Sequence, residues 1–465
     1  MNNKNLKLKI GLEIHKELES HKLFCHCPSI IDNERPDSVI RRRQRAVAGE
    51  AGKKDVAALY EEGKDREFIY EYSPRYACLV CLDEEPPFPV NEHALKTALE
   101  IAMLFHMQVE KKLKVMRKII VDGSNTSSYQ RLILLAKNGY VNTSKGKVRI
   151  LSMNLEEDSA RKIREDEKSI TYRLDRLGIP LVEITTGPDI KDSEHAKETA
   201  GLIGMILKST GKVKTGIGTI RQDINISILN KGRVELKGFQ DLRIMPKIID
   251  NEIRRQLDIV NKKERVREEV RKVNPDGNTT FLRPLPGKAR IYPDTDLPEI
   301  EVNNEMLNSI KISELIIDKA IHLEEKYGLR EDLAKEIIDD EIDFEDYVKK
   351  FSNVKPEFIA RVLVDMRKEI KTRFDLETKP DDILEYLNDG KISEINFFEL
   401  LVEKAEGKKI NLEKYKQPED LESEIRKIIK ENKGASFNAI MGEVMKRFRG
   451  KVDPKKIAEL IKKEV

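Results

Sequence analysis

The chain of 465 residues has room for about three domains at roughly 150 residues each. Its 86 Lys and Arg against 83 Asp and Glu leave a net charge of +3, which excludes a global polycation, so any nucleic-acid contact must come from a local basic patch. Hydrophobic residues at 39% suffice for sizeable cores and exclude wholesale disorder, although charged residues reach 36%.

The first segment alternates. Leu6, Leu8, Ile10, Leu12 and Ile14 face one way, and Lys7, Lys9, Gly11, Glu13 and His15 the other, as in a half-buried strand. This is not the apolar block of a secretory leader, and no apolar run approaches the ~18 residues a bilayer span needs, so a soluble cytoplasmic protein is expected. Cys25-His26-Cys27 and Cys78-Leu79-Val80-Cys81 hold all four cysteines as a C-x-C and a C-x2-C. Such pairs can present four thiolates to one tetrahedral Zn²⁺, structural because no ligand position stays open; two unrelated buried pairs are the alternative. A redox C-x-x-C is the weaker reading, since no thioredoxin-like βαβ pattern surrounds it.

Ala94 to Met107 reads as a helix. The strand-like VMRKII leads into a polar loop, Val121 to Ser128, which could offer backbone N–H groups to phosphate or be an ordinary turn. No Walker A motif and no G-x-G-x-x-G after a strand is present. Glu156, Glu157 and Asp158 follow a strand ending near Leu155. Leu181, Glu183 and Thr185 alternate with Val182 and Ile184. A helix runs from an N-cap at Ser193 to Gly211. In the strand from Thr219 to Ser227, Arg221, Asp223 and Asn225 share the face opposite Ile220, Ile224 and Ile226; in RVELKG, Arg233, Glu235 and Lys237 alternate with Val234 and Leu236. Residues 250 to 273 read as one long charged helix, broken by Asn274-Pro275-Asp276-Gly277. Strands with one apolar and one charged face fit a largely antiparallel sheet packed on one side.

After Asn303 helical periodicity takes over. The expected organisation is α+β: a domain over 1–303, a helical domain over 304–390, and a helical tail over 391–465. From Gly434 to Val465 eight Lys and Arg stand against four Asp and Glu, a local +4 that includes Lys446, Arg447, Arg449 and Lys451. The acids Glu13 (beside His15), Glu156, Glu157, Glu183 and Asp223 lie on wet strand faces or just after them. A hard cation such as Mg²⁺ wants several such oxygen ligands, although each acid alone also suits a solvated surface.

GLEIHKEL, LFCHCP, LDEEPPFPVN, VMRKIIVDGSNTSSYQR, LEEDSAR, LDRLGIPLVEI, STGKVKTGIGTIRQDINIS, VELKGFQDL and LRPLPGKARIYPDTDLP together resemble the E subunits of archaeal-type glutamyl-tRNA(Gln) amidotransferases, relatives of the bacterial B subunits. The likeness covers most of residues 6 to 300, and NAIMGEVMKRFRGKVDP is similar to the family's C-terminal domain. It implies a cradle-like catalytic domain followed by two all-α domains. It implies an ATP-dependent carbon–nitrogen ligase that phosphorylates the γ-carboxyl of glutamate on Glu-tRNA(Gln) and amidates it with ammonia from an asparaginase-like D subunit, in a heterotetramer. By motif, Glu13, His15, Glu156, Glu157 and Glu183 match the family's Mg²⁺-binding and catalytic acids. The four cysteines match its zinc site, Ser124, Asn125, Ser127 and Arg131 fall in a segment near ATP or the acceptor end, and the tail's basic residues match its tRNA-binding domain. Two other readings stand beside this one: a B-type subunit working with an amidase-type partner and also accepting Asp-tRNA(Asn), and a tRNA-binding module without catalysis, against which the unbroken acidic set argues. One feature departs from the E subunits: the insertion similar to part of aspartyl-tRNA synthetase, expected before LRPLPGKARIYP, is missing.

Overall fold

The computed structural model describes residues 6–49, 52–287, 290–340, 342–412, 420–432, 434–448 and 454–464. They form two compact units, Met1–Leu315 and Ile316–Val465.

The first unit begins with β1 (Lys9–Glu17), β2 (Ser38–Arg42), α1 (Val56–Glu62), β3 (Glu67–Tyr72) and α2 (Glu92–Leu104). Strands β4 (Gln108–Val109), β5 (Lys112–Leu113), β6 (Val115–Ile119), β7 (Tyr129–Thr143), β8 (Gly146–Glu157), β9 (Arg161–Glu165), β10 (Ser169–Arg173) and β11 (Pro180–Thr186) follow. Next come α3 (Ser193–Ser209), β12 (Ile220–Ser227), β13 (Val234–Phe239), α4 (Met245–Asn261), β14 (Glu269–Val273), β15 (Thr279–Pro284), β16 (Ile291–Pro293), β17 (Ile300–Glu301) and α5 (Asn304–Asn308).

The large sheet has the order β15-β14-β13-β12-β1-β11-β8-β7-β6-β16, with β4 also on β7. Its ladders are antiparallel except β13–β14. One face is apolar. Ile10, Leu12, Ile14, Ile184, Ile224, Ile226 and Leu236 pack there with Leu99, Ile203 and Ile249 from α2, α3 and α4. Alternation leaves the opposite face polar, as the sequence pattern requires. A smaller sheet, β2-β3-β10-β9, has its own core around Tyr70, Tyr172, Cys25 and Cys81.

Two local expectations shift. The N-cap of α3 is Asp192, whose carboxylate accepts from the His195 N–H at 2.9 Å, one residue before Ser193. The charged stretch 250–273 is not one helix: α4 stops at Asn261, Lys263 takes a φ of +59°, and Glu269–Val273 pair alongside β13 as a strand. Val270 and Val273 are buried in that strand, which outweighs a weak helical preference of charged residues. The Asn274–Gly277 break closes the β14–β15 hairpin, with the Gly277 N–H donating to the Asn274 carbonyl at 2.9 Å and Gly277 at φ +86°.

The second unit is helical, with α6 (Ile316–Tyr327), α7 (Glu331–Asp339), α8 (Phe344–Lys350), α9 (Pro356–Arg361), α10 (Arg367–Phe374), α11 (Asp381–Asn388), α12 (Glu394–Ala405), α13 (Leu421–Glu431), α14 (Phe437–Phe448) and α15 (Pro454–Glu464). One core joins Ala320 through Leu401, and a second joins Ile425, Ile428, Ile440, Val444, Phe448, Ile457 and Ile461. The change of core therefore falls after Leu412 rather than at Gly390: α12 packs with the helices before it, because Phe397, Leu400 and Leu401 complete their apolar interior. Likewise the first unit ends at Leu315 rather than at residue 303. Among the described residues, no helix is long and apolar enough to cross a membrane.

Candidate active site: an acidic row across four strands

Four neighbouring strands each contribute to the polar face of the large sheet. β1 carries Glu13 and His15, β11 Glu183, β8 Glu156 and β12 Asp223. The ladder sets Glu13 opposite Asp223 and His15 opposite Glu183, so residues far apart in sequence meet through register alone. His15 Nε2 lies 3.2 Å from Glu183 Oε2 and 3.7 Å from Glu13 Oε1. Two groups of ligand atoms share His15: Glu13–His15–Asp223 and His15–Glu156–Glu183, each with its atoms within 4.8 Å of one another.

Carboxylates this close and this buried need counter-charge. Lys118 on β6 donates to both oxygens of Glu156, at 3.0 and 3.1 Å, and stands 3.8 Å from Glu183. Burial opposes the charge on Glu183, but Lys118, His15 and the Asn154 amide at 2.9 Å outweigh it and hold the carboxyl well below its usual range. Burial, then the Glu183 charge, pushes the Glu13 carboxyl up to about 7. The same two causes raise Glu156. His15 is raised: burial favours its neutral form, but the hydrogen bond and charge of Glu183, with the charges of Glu13 and Asp223, together outweigh burial.

The row borders a cavity of about 990 Å³, whose walls also carry Arg176, Arg221, Arg233, Arg283 and Arg290. A second cavity of about 570 Å³ reaches Glu13, Glu156 and Glu183 past Lys112, Lys114 and Lys137. Arginines around buried carboxylates suit a polyphosphate held against a divalent cation.

Not every expected residue joins the row. Glu157 neighbours Glu156 on a strand and so points to the other face, where its carboxylate accepts from the Arg131 N–H at 3.1 Å. Asn125, Ser127 and Arg131 line a small cavity on that side with Lys22 and Glu157. Arg131 is tied to Asp294 at 3.0 Å, and the Ser127 hydroxyl donates to the Tyr129 carbonyl at 2.8 Å. Ser124 lines a third recess with Asp55 and Arg283. None of these four lines the 990 Å³ cavity, because the 121–128 loop turns back onto the cysteine lobe, where the Thr126 hydroxyl donates to the Cys81 carbonyl at 2.8 Å. Asp223, expected from its strand face, does join the row, and Asn154, Lys118 and Lys237 belong to the site as well. Asp223 and Lys237 can be read from strand alternation; the reach of Lys118 across β7 leaves no local signal.

The four cysteine sulfurs gather within 4.8 Å, with no disulfide among them. Cys25 Sγ and Cys81 Sγ are 3.7 Å apart, close to the ~3.8 Å that tetrahedral Zn–S bonds of ~2.3 Å impose, so the donor set fits zinc. In the second unit, Lys446 and Arg447 end α14, paired with Glu443 at 2.7 Å and Glu424 at 3.9 Å. Arg449 and Lys451 lie outside the described residues.

The family profile described as the GatB/GatE catalytic domain matches residues 8–308, and one described as a GatB domain matches residues 342–465. The E subunit of the glutamyl-tRNA(Gln) amidotransferase of Methanocaldococcus jannaschii is 35% identical, with 100% of this chain and 99% of the relative covered. Proteins of the same name are 33% identical in Methanococcus vannielii (97% and 96% covered) and 34% identical in Methanosarcina barkeri (99% and 98% covered). The alignment to the first relative runs over 625 positions against a chain of 465, so at least 160 of those positions (625 minus 465) have no residue here.

Proposed function

The chain belongs to the GatB/GatE family, and we propose that it is the kinase and transamidase component of a tRNA-dependent amidotransferase. In this reading it uses ATP to phosphorylate the γ-carboxyl of glutamate on Glu-tRNA(Gln), and ammonia then displaces the phosphate to give Gln-tRNA(Gln). The observation that carries it is the acidic row beside an arginine-walled cavity. Phosphoryl transfer to a carboxylate asks for charge neutralisation and alignment more than for covalent help.

Glu13, His15, Glu156, Glu183 and Asp223 would hold Mg²⁺, which supplies neutralisation of the phosphoryl oxygens when bound. The arginines of the 990 Å³ cavity would offset the remaining phosphate charge and orient the chain of phosphates. The second cavity gives ammonia an approach separate from the nucleotide, past lysine stems that leave the opening polar. Cys25, Cys27, Cys78 and Cys81 would hold a structural zinc. The relatives named as E subunits, covered nearly end to end, support an asparaginase-like D partner over an amidase partner. A heterotetramer in the cytoplasm follows from the same reading.

The purified chain, incubated with Glu-tRNA(Gln), ATP, Mg²⁺ and ammonium chloride, should convert the esterified glutamate to glutamine, read by nuclease digestion and chromatography of the aminoacyl-adenosine. Absence of both ATP consumption and glutamine formation, with the tRNA bound, would reject the reading.

A further inference from the structure

Lys237 closes the acidic row at its β13 end. The β12–β13 ladder shifts register between Gln222, opposite Phe239, and Ile224, opposite Leu236. The extra residue is accommodated beside Gly238, whose φ of +92° suits glycine. This bulge sets Lys237 beside Asp223, its Nζ donating to Asp223 Oδ2 at 2.5 Å and lying 2.7 Å from Glu235 Oε1. The ammonium thus sits on a carboxylate that the Glu13–His15–Asp223 group would offer to a cation, on the side open to the 990 Å³ cavity, which Lys237 also lines.

We propose that Lys237 is an internal cation of the Glu13–His15–Asp223 group, a positioning residue that competes with a divalent ion there, so that the group fills only when the ammonium turns away into the cavity. The inference rests on the metal reading above and deepens it. An ammonium and a divalent ion on one carboxylate repel strongly, and the lysine's flexible four-carbon stem lets it move where an arginine fork would be held. A phosphate in the cavity would give the displaced ammonium an anion to meet, so filling of this group and occupancy of the cavity favour each other. Glu235, opposite Asn225 in the ladder and on the same face, keeps the ammonium docked in the meantime.

The test is Mn²⁺ binding to the full-length chain, followed by electron paramagnetic resonance without nucleotide. Lys237→Met should tighten one class of Mn²⁺ site by roughly tenfold or more, the scale set by removing a like charge a few ångströms from a divalent ion. Lys237→Arg, whose fork would stay docked on the carboxylates, should bind Mn²⁺ more weakly than wild type at that site, and adding Asp223→Asn to Lys237→Met should abolish the gain. Lys237→Gln serves in place of the methionine variant should that one fail to fold. A folded Lys237→Met or Lys237→Gln protein that binds Mn²⁺ no more tightly than wild type overturns the inference while leaving the metal reading standing. Absence of Mn²⁺ binding in wild type and variants alike overturns both.

Discussion

Glu183 shows how much a single side chain can settle. It touches His15 at 3.2 Å and Asn154 at 2.9 Å, and stands 3.8 Å from Lys118, so its oxygens are fixed before any cation arrives. Glu183→Gln keeps the volume and removes the charge. Gln-tRNA(Gln) formation should fall by about 10²–10³-fold, the range for losing one preorganised electrostatic contact, while tRNA affinity changes little. Near-normal turnover would remove Glu183 from the reaction. Glu157→Gln, by contrast, should leave Mn²⁺ affinity unaltered, because that carboxylate faces Arg131 on the other side of the sheet. In sequence, Glu156 and Glu157 read as a pair when the strand is ended at Leu155; carrying alternation to Glu157, where β8 ends, separates them. Asp294 offers a stability test. Its side chain is fully buried between Arg117 at 2.8 Å and Arg131 at 3.0 Å. Burial opposes its charge, but the bond from Arg117, the Asp296 N–H and the charges of Arg131 and Arg117 together outweigh it, and the carboxyl lies below its ordinary 3.8. A depressed carboxyl stabilises the fold fully above the unfolded-state pKa, and that contribution is lost as the pH falls through the lower folded value. Asp294→Asn should therefore cost about 3–5 kcal/mol at neutral pH in denaturant unfolding. The gap between variant and wild type should narrow only well below pH 4, and a gap that persisted there would contradict the sign.

At the scale of elements, period-2 alternation is the most informative signal. The polar faces of β1, β11, β12 and β13 are legible because each strand carries its own pattern. Which strands are neighbours is not legible, since pairing depends on contacts 168 residues apart, as for His15 and Glu183. The stretch 250–273 misleads because charged residues serve equally in an exposed helix and on the wet side of a strand; only the buried valines of β14 mark the change. The cysteine pairs are legible as pairs, and the fold brings the loop after β1 to the loop after β3. A shared ion there would close a loop of about 50 residues and so act mainly on stability. Elemental analysis of protein purified without chelator should give about one zinc per chain. Cys81→Ser should lose that zinc and lower the melting temperature by about 5–10 °C, given several kcal/mol lost at roughly 2 °C each in a domain of this size. Metal-free wild-type protein with an unchanged melting temperature would favour two unrelated buried pairs.

At the scale of the whole molecule, the chain aligns nearly end to end with relatives, the first over an alignment 160 positions longer than the chain itself, so contacts those positions make elsewhere must be absent or made by other parts. The basic tail is the part whose charge suits that task. Its local +4 is legible in the sequence, but its boundary is not, because the change from one helical core to the next leaves no break in helical periodicity. That boundary decides how the tail can be tested. Removing residues 434–465 would strip α14 and α15 from the core they share with Ile425 and Ile428 of α13, and would expose α13's apolar face. Removing residues 413–465 takes the whole cluster away. Lys446 and Arg447 are paired with glutamates, yet exposed ion pairs of this kind are worth at most about 1 kcal/mol, so a phosphate can take the cation from its partner. Phosphate contacts give affinity that falls steeply with salt. Truncation after Leu412 should weaken binding of Glu-tRNA(Gln) at low salt and flatten the plot of log Kd against log salt. Turnover at saturating tRNA should persist, since Glu13, His15, Glu156, Glu183 and Asp223 all lie in the first unit. A truncated protein that bound the tRNA as tightly as the full chain at both low and high salt would assign the basic residues of the tail to an ordinary solvated surface.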